Sequence, residues 1–325
     1  MGLREAVRNQ DAPRKMQESF PEGACFTVTL YGLSWTNLVR NFDVEKELRE
    51  KAIVEATWAL EQYEQPYVVG PFTTTQVRYG VFWLGQRNLV LGQLLEILPE
   101  SRRPKHLVEE FHTNTKSLAE AFLGSPTGHL DSYPGLCWPA DNVTALASLL
   151  LHDKLYSTQY RIAYEHWREW TLNNPDPYTG LPAGHLDSRT GYLLQPARGC
   201  ANSWVLALLP EMDSELALDL YGLYRKYFLV TRLGFNVFRE YPSGLSRSAD
   251  VDSGPILMGA GTTATGVGLG ASIANSDLET AEDIYDLVSS VGLKHETNLE
   301  GVTGTQYLFG RVPVADAFLT WAFTL

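Results

Sequence analysis

The stretch GAGTTATGVGLGAS, residues 259–272, is built almost entirely from glycine, alanine, serine and threonine. Glycines at this spacing let neighbouring backbones approach closely, so the stretch indicates a helix that is crowded by other helices. A phosphate-binding loop would need a preceding strand and a Lys-Ser or Lys-Thr pair after the glycines, and the stretch has neither. The stretch therefore predicts a helix on the inside of a larger helical assembly.

Helical periodicity recurs on both sides of this stretch. The segment DVEKELREKAIVEATWALEQYEQ, residues 43–65, begins at a capping Asp43 and places Leu48, Ala52, Ala56 and Leu60 on one face. With the segments before Asp43 the chain holds about a dozen helices. The other segments of this style cover residues 80–98, 104–124, 141–155, 159–172, 214–234, 254–274, 276–292 and 314–325.

About a dozen helices with short connections predict an all-α fold, an (α/α)6 toroid in which inner and outer helices alternate. The absence of linkers or breaks in composition predicts one domain over residues 1–325, in which residues 1–20 are a polar extension. Only residues 179–199, TGLPAGHLDSRTGYLLQPARG, suggest strands. They read as two short extended runs around a turn from Ser188 to Gly191, which predicts a small β-hairpin insert.

The pentapeptide GHLDS occurs at residues 128–132 and again at residues 184–188. The first copy precedes a helical segment and the second lies in the predicted hairpin. We interpret the two copies as equivalent turns on the same face of the ring, with the first facing the cavity.

Composition excludes several classes of partner and site. The formal net charge of −12, with 26 Lys and Arg against 38 Asp and Glu, leaves little to neutralise phosphates, so no nucleic acid or anionic membrane partner is expected. The longest apolar run is too short to span a bilayer, and no apolar signal peptide is apparent. Three scattered cysteines read as free thiols in a reducing compartment. We expect a cytoplasmic protein without a metal or cofactor.

Aspartates in turns are the strongest catalytic candidates. Asp131, Asp141 and Asp187, with Asp250 and Asp252, stand beside aromatic and small residues before inner-helix segments. Singly, Asp141 reads as a helix N-cap and Asp131 and Asp187 as turn residues. Together they would gather at the mouth of a toroid, where one carboxyl can stay protonated while another ionises. Such a pair suits elimination, isomerisation or glycoside hydrolysis.

The segment CWPADNVTALASLLLHDKLYSTQY, residues 137–160, resembles the linalool dehydratase/isomerase family, whose fold is an (α/α)6 toroid. The likeness continues to residue 217 and includes LGQRNLVLGQLLEI, residues 84–97. It implies a cavity in which the family's histidine falls on Gln86, its two cysteines near Asp131 and on Asp141, its tyrosine on Cys200 and its tryptophan on Trp204. By this resemblance carboxylates replace the family's thiols.

The leading hypothesis is a cofactor-independent lyase or isomerase, either a dehydratase or an acid-initiated cyclase, acting on a small hydrophobic terpenoid- or polyketide-like substrate. An inverting glycoside hydrolase and a non-catalytic small-molecule binding protein are the alternatives. The resemblance also implies a homo-oligomer in which neighbouring subunits complete the site. The expected catalytic residues are Asp141, Asp131 and Asp252; the expected substrate-binding residues are Gln86, Trp204, Cys200, Asn142, Tyr79, Trp138 and Asp187.

Overall fold

The structure is a computed structural model that describes residues 2–251, 253–292, 295–299, 302–307 and 311–325. Six helices form an inner ring in which each helix packs against the next and the last returns to the first. This closed ring, with a second layer of helices outside it, confirms the predicted (α/α)6 toroid. The inner helices are α3 (Gly23–Asn41), α6 (Gly80–Ile97), α8 (Pro139–Tyr156), α10 (Gly199–Leu208), α12 (Thr262–Ala274) and α14 (Pro313–Ala322).

The remaining helices surround this ring. They expose one polar face, whereas the inner α6 buries 17 of its 18 residues because it is covered on all sides. The outer helices are α1 (Gly2–Asn9), α2 (Ala12–Ser19), α4 (Lys46–Gln62), α5 (Pro66–Val69), α7 (Lys105–Gly124), α9 (Arg161–Asn173), α11 (Ser214–Phe228) and α13 (Leu278–Val291), with short 3-10 turns at Glu100–Arg102 and Leu209–Glu211.

The glycine-rich stretch forms most of α12 and lies inside the ring, as its composition predicts. A Cβ atom on Gly268 would stand 2.3 Å from the ring of Phe238, and one on Gly270 would stand 3.1 Å from Trp321. The helix begins only at Thr262, however. Residues 256–261 form a small hairpin instead of the predicted first two turns, because Met258 and Gly259 adopt the left-handed conformation at φ 53° and 83°.

The predicted hairpin insert is present as β1 (His185–Leu186) and β2 (Leu193–Gln195), which pair antiparallel. The described residues contain three further hairpins that the periodicity did not predict. Residues 229–234 were predicted as the end of a helix, but α11 stops at Phe228, before a turn at Leu233 and Gly234. These hairpins are β3 (Leu229–Arg232) with β4 (Phe235–Phe238), β5 (Ile256–Leu257) with β6 (Ala260–Gly261), and β7 (His295–Leu299) with β8 (Val302–Gln306).

Two helix starts differ from their predicted caps. Helix α4 begins at Lys46 after Glu45, so Asp43 lies outside it and caps nothing. Helix α8 begins at Pro139, because proline fits the first position of a helix without losing a hydrogen bond. Asp141 is therefore the third residue of α8 and not its N-cap.

The first helices lie against the ring. Leu3, Ala6 and Val7 of α1 are buried, and the Gln306 amide donates to the Gly2 carbonyl at 3.1 Å. None of the described helices is long and apolar enough to cross a membrane.

The segments that precede the inner helices meet at one end of the ring, which we call the mouth. The Val81 amide at the start of α6 donates to the Asp131 carbonyl in the segment before α8, at 3.0 Å. Farther around the ring, the amide of Gly199 at the start of α10 donates to the Glu240 carbonyl at 2.8 Å. Side chains from distant parts of the chain therefore converge at the mouth.

Candidate active site at the mouth of the ring

Asp141 is half-buried in the first turn of α8. The Ser132 hydroxyl donates to its Oδ2 atom at 2.5 Å. Free backbone N–H groups in the first turn of a helix also favour a carboxylate there. Burial raises the pKa of the nearby Cys137 thiol, and the charges of Asp131 and Asp141 raise it further, so both of these predicted aspartates lie at the mouth.

A further carboxylate is Glu22, which directly precedes α3. The Tyr133 hydroxyl donates to Glu22 Oε1 at 2.5 Å. Burial raises the pKa of Tyr133 far above its usual value, and the charges of Glu22 and then Asp141 raise it further. The phenol therefore keeps its proton and lies in the field of both carboxylates.

Cys25 is buried near the start of α3. Burial raises the pKa of this thiol well above its usual value, and the charges of Glu22 and Asp141 both add to the increase. The adjacent residues Ser132 and Tyr133 donate to Asp141 and Glu22 respectively, so one short segment connects the two acids.

Sequence analysis overlooked Glu22, Tyr133 and Cys25. A signal was present in Pro21-Glu22-Gly23, which places an acid immediately before an apolar inner-helix segment, as Asp141 is placed near the start of α8. Tyr133 directly follows the first GHLDS copy.

Aromatic rings form a continuous wall beside the two carboxylates. Phe72 stacks on Phe82 and on Tyr133, with ring centroids 5.5 Å apart in both pairs. Tyr133 meets Trp138 edge-on at 6.1 Å, and Trp138 stacks on His185 at 5.0 Å with an interplanar angle of 14°. The predicted aromatic Trp138 is therefore part of the mouth.

A second aromatic group lies deeper along the ring interior. The Trp204 indole N–H donates to Thr144 Oγ1 at 3.0 Å, and the side chain is only 5% exposed. Its ring packs against Phe26 at 6.1 Å and Trp321 at 4.9 Å. Trp204 thus contacts the wall through Phe26, whose ring meets Phe82 edge-on at 5.0 Å.

The two GHLDS copies contact each other. Ser188 of the second copy donates its hydroxyl to Asp131 Oδ1 of the first at 2.7 Å, and Thr127 donates to the Ser188 carbonyl at 2.6 Å. Asp131 Oδ2 accepts from the Gly135 amide at 3.1 Å. Both oxygens of Asp131 thus hold the loops together at the mouth.

Asn142 and Asp187, two further predicted site residues, form hydrogen bonds with the backbone near these loops. The Asn142 side chain accepts from the Leu130 amide at 2.7 Å and donates to the Leu130 carbonyl at 3.2 Å, which fixes the segment before α8. Asp187 accepts from the amides of Arg189 and Thr190 in the β1–β2 turn. Hydrogen bonding to the Thr190 amide lowers the pKa of Asp187.

Gln86 lies within α6, and Tyr79 directly precedes that helix. Gln86 is 2% exposed and accepts from the Thr29 hydroxyl at 2.5 Å, between α3 and α6. Tyr79 packs edge-on against Trp83 at 4.9 Å and under the Arg78 guanidinium.

Cys200 belongs to a separate cluster at the start of α10. Its thiol donates to Glu240 Oε1 at 3.1 Å, and Arg198 donates to the same carboxylate at 2.7 Å and to Asp250 at 2.8 Å. Burial raises the pKa of Glu240, although Arg198 opposes that effect. Asp252, also predicted as catalytic, lies outside the described residues.

The three cysteines form no disulfide bond with one another. Within the described ranges, no group of three or more His, Cys, Asp or Glu side chains is placed to hold a metal ion.

No family model matches the chain, and no curated protein matches it. Among solved structures, the chain is similar to an inactive variant of an alpha-1,6-mannanase, GH76A of Salegentibacter sp. HEL1_6, in complex with alpha-1,6-mannotetrose. The identity is 11%, the match covers 97% of this chain and 98% of the other, and the TM-score is 0.53. A family 76 glycoside hydrolase from a bovine Bacteroides thetaiotaomicron strain also matches, at 12% identity over 98% and 78% of the two chains, with a TM-score of 0.44.

These findings correct the sequence analysis. The resemblance to linalool dehydratase/isomerase is wrong, since the structures that match over nearly the whole chain are glycoside hydrolases. The lyase, isomerase and cyclase hypothesis and its hydrophobic terpenoid substrate fall with it. The toroid itself stands, because both families share that architecture.

Proposed function

We propose that the protein is a glycoside hydrolase whose site is the mouth of the ring. The observation that carries the proposal is the pair formed by Glu22 and Asp141, which accept hydrogen bonds from the adjacent residues Tyr133 and Ser132. Glycoside hydrolysis needs two carboxyl groups beside the scissile bond, one to protonate the leaving oxygen and one to attack the sugar or activate water.

The aromatic wall supports a carbohydrate substrate. Phe72, Tyr133 and Trp138 present rings next to the carboxylates, and Trp138 is half-buried. The apolar face of a sugar ring packs well on such surfaces while its hydroxyls need polar partners, which Ser132, Tyr133 and the carboxylates supply. The proposed substrate is therefore an oligosaccharide, and the mannotetrose bound by the similar mannanase makes α-1,6-linked mannosides the first choice.

The chemistry differs in one respect from that of the mannanase. That enzyme was inactivated by replacing two consecutive aspartates with alanine. The present chain contains no two consecutive aspartates anywhere in its sequence. Its carboxylates come from two helices, α3 and α8, and a pair held on separate helices is the arrangement that we propose for the reaction.

The test is hydrolysis of α-1,6-mannooligosaccharides and of aryl glycosides of several sugars, followed by product analysis. We expect Glu22→Gln and Asp141→Asn each to lower kcat at least a hundredfold, because general acid–base catalysis typically contributes that much. Glu18→Gln is the matched control, since Glu18 is an exposed acid one turn away and lines no part of the mouth. Full activity in either site variant would refute the assignment.

A second candidate is carbohydrate binding without hydrolysis. The lack of two consecutive aspartates favours it, because the mannanase variant in which two such aspartates are replaced is inactive. Calorimetric binding of an oligosaccharide, lost in Tyr133→Ala but unaccompanied by any product, would identify this function instead of the first.

A further inference from the structure

A second polar site lies at the opposite end of the ring from Asp141, where α8 ends and α7 begins. A cavity of about 330 Å³ opens there. Its volume is at the lower end of the range for small-molecule sites. The polar residues that line it are Glu100, Arg103, Lys105, Glu109, His112 and Tyr156.

A chain of hydrogen bonds fixes the proton positions behind this cavity. The Thr158 hydroxyl donates its one proton to Asp153 at 2.5 Å, so it accepts from His152 Nδ1 at 2.8 Å. Neutral His152 then has a lone pair on Nε2, and this atom lies 2.7 Å from His112 Nδ1. His112 Nδ1 must therefore carry the proton of that bond.

The electrostatics agree with this direction. Burial lowers the pKa of His152 to about 4, and the neighbouring His112 lowers it as well. His152 is 1% exposed, so it stays neutral at pH 7 and remains an acceptor. His112 is exposed, which leaves its Nε2 atom as the ring nitrogen available to a ligand in the cavity.

Two cations beside His112 form no ion pair with the described residues, although Glu100 and Glu109 line the same cavity. Arg103 donates Nε to the Leu95 carbonyl at 2.8 Å and lies over the Tyr156 ring, but neither Arg103 nor Lys105 forms an ion pair with any residue that the structure describes. The adjacent Arg102 does pair, with Glu50. In a chain of net charge −12, two unpaired cations around one cavity indicate a site for an anion.

A buried donor also lacks a partner. The Tyr156 hydroxyl is inaccessible to solvent and forms no hydrogen bond with the described residues. An unmade hydrogen bond of this kind destabilises the end of α8 where the cavity lies. Glu100 and Glu109 are exposed at the rim, where water solvates their charges.

We propose that this cavity binds the phosphoryl oxyanion of a small solute. Arg103 and Lys105 neutralise the anion. A hydrogen bond joins His112 Nε2 to a phosphoryl oxygen. Its proton is supplied either by the imidazole or by the phosphoryl group. Glu109, one turn before His112 on α7, opposes the anion and limits its affinity.

The test follows the ring nitrogens of His112 by 15N NMR while inorganic phosphate is titrated at constant ionic strength. We expect a saturable shift at His112 and, without phosphate, a His152 ring that is protonated at Nδ1. Arg103→Gln should weaken phosphate binding about tenfold, as loss of a charge-assisted contact does. Glu109→Gln should strengthen it severalfold, and the matched control Lys116→Gln, an exposed change on the same helix, should leave it unaltered.

Three results would overturn the proposal: no saturable shift with phosphate, unchanged affinity in Arg103→Gln, or acetate binding as tightly as phosphate. The first two would show that the cavity is not an anion site, and the third that it does not select a phosphoryl group. Because the wild-type titration and the Arg103 variant suffice, the test does not depend on folding of a His112 variant.

Discussion

At the scale of single residues, neighbours in sequence have opposite uses. Asp141 lies near Glu22 and Tyr133 at the mouth, whereas the side-chain amide of Asn142 binds the Leu130 backbone. The type and position of Asp141 were predictable, because an acid near the start of an inner-helix segment points to the mouth. Its partner Glu22 was not predictable, since pairing between residues 119 positions apart depends on ring closure and leaves no local pattern.

Buried His129 contributes to the pH dependence of stability, as does His152. His129 is fully buried against Trp170, and burial lowers its pKa from 6.5 to about 4. Between these values the unfolded chain binds a proton that the folded protein does not, so the free energy of unfolding falls as the pH falls from 6.5 towards 4. The loss is on the order of 3 kcal/mol at the acid end. In urea titrations, the free energy of unfolding of His129→Asn should depend less on pH in this range than that of the wild type. The exposed variant His106→Asn should keep the wild-type dependence.

At the scale of elements, composition predicted the location of α12 but not the residue at which the helix begins. The small residues predicted the right location, because a Cβ on Gly268 would overlap Phe238 and a Cβ on Gly270 would be tight against Trp321. The same residue types predicted the wrong first residue of the helix. Residues 256–261 are also small and apolar, but they form the hairpin of β5 and β6. Likewise the helical sequence pattern of α11 continues through β3 without a break, so only tertiary contacts determine where the helix ends.

Two glycines of α12 therefore predict opposite effects of the same substitution. A methyl group at Gly268 would overlap the Phe238 ring, whereas one at Gly266 meets no atom within 4 Å. Gly268→Ala should lower the free energy of unfolding by about 1–3 kcal/mol through overpacking. Gly266→Ala should raise it by roughly 0.5–1 kcal/mol, because alanine loses less backbone entropy in a helix. Equal effects in chemical denaturation would show that α12 is not crowded as described.

At the scale of the whole molecule, closure of the ring brings the last inner helix back to the first. The Asn41 amide at the end of α3 donates to the Thr324 carbonyl at 2.8 Å, and Trp321 packs between Trp204 and Gly270. Helix number and periodicity were sufficient to predict this architecture. They were insufficient for the function, because a toroid serves several chemistries and only its mouth distinguishes them.

Ring closure predicts that Trp321 stabilises the entire chain. Trp321→Ala should lower the free energy of unfolding by about 3–5 kcal/mol, as expected for removal of a fully buried tryptophan. Phe323→Ala is the matched control, because Phe323 lies two residues later and is 46% exposed, so its loss should cost less than about 1 kcal/mol. If residues 1–325 form one domain, circular dichroism and tryptophan fluorescence will report a single coincident transition in the wild type and in both variants. Separate transitions, or a Trp321 effect limited to fluorescence near α14, would mean that the ring does not fold as one unit.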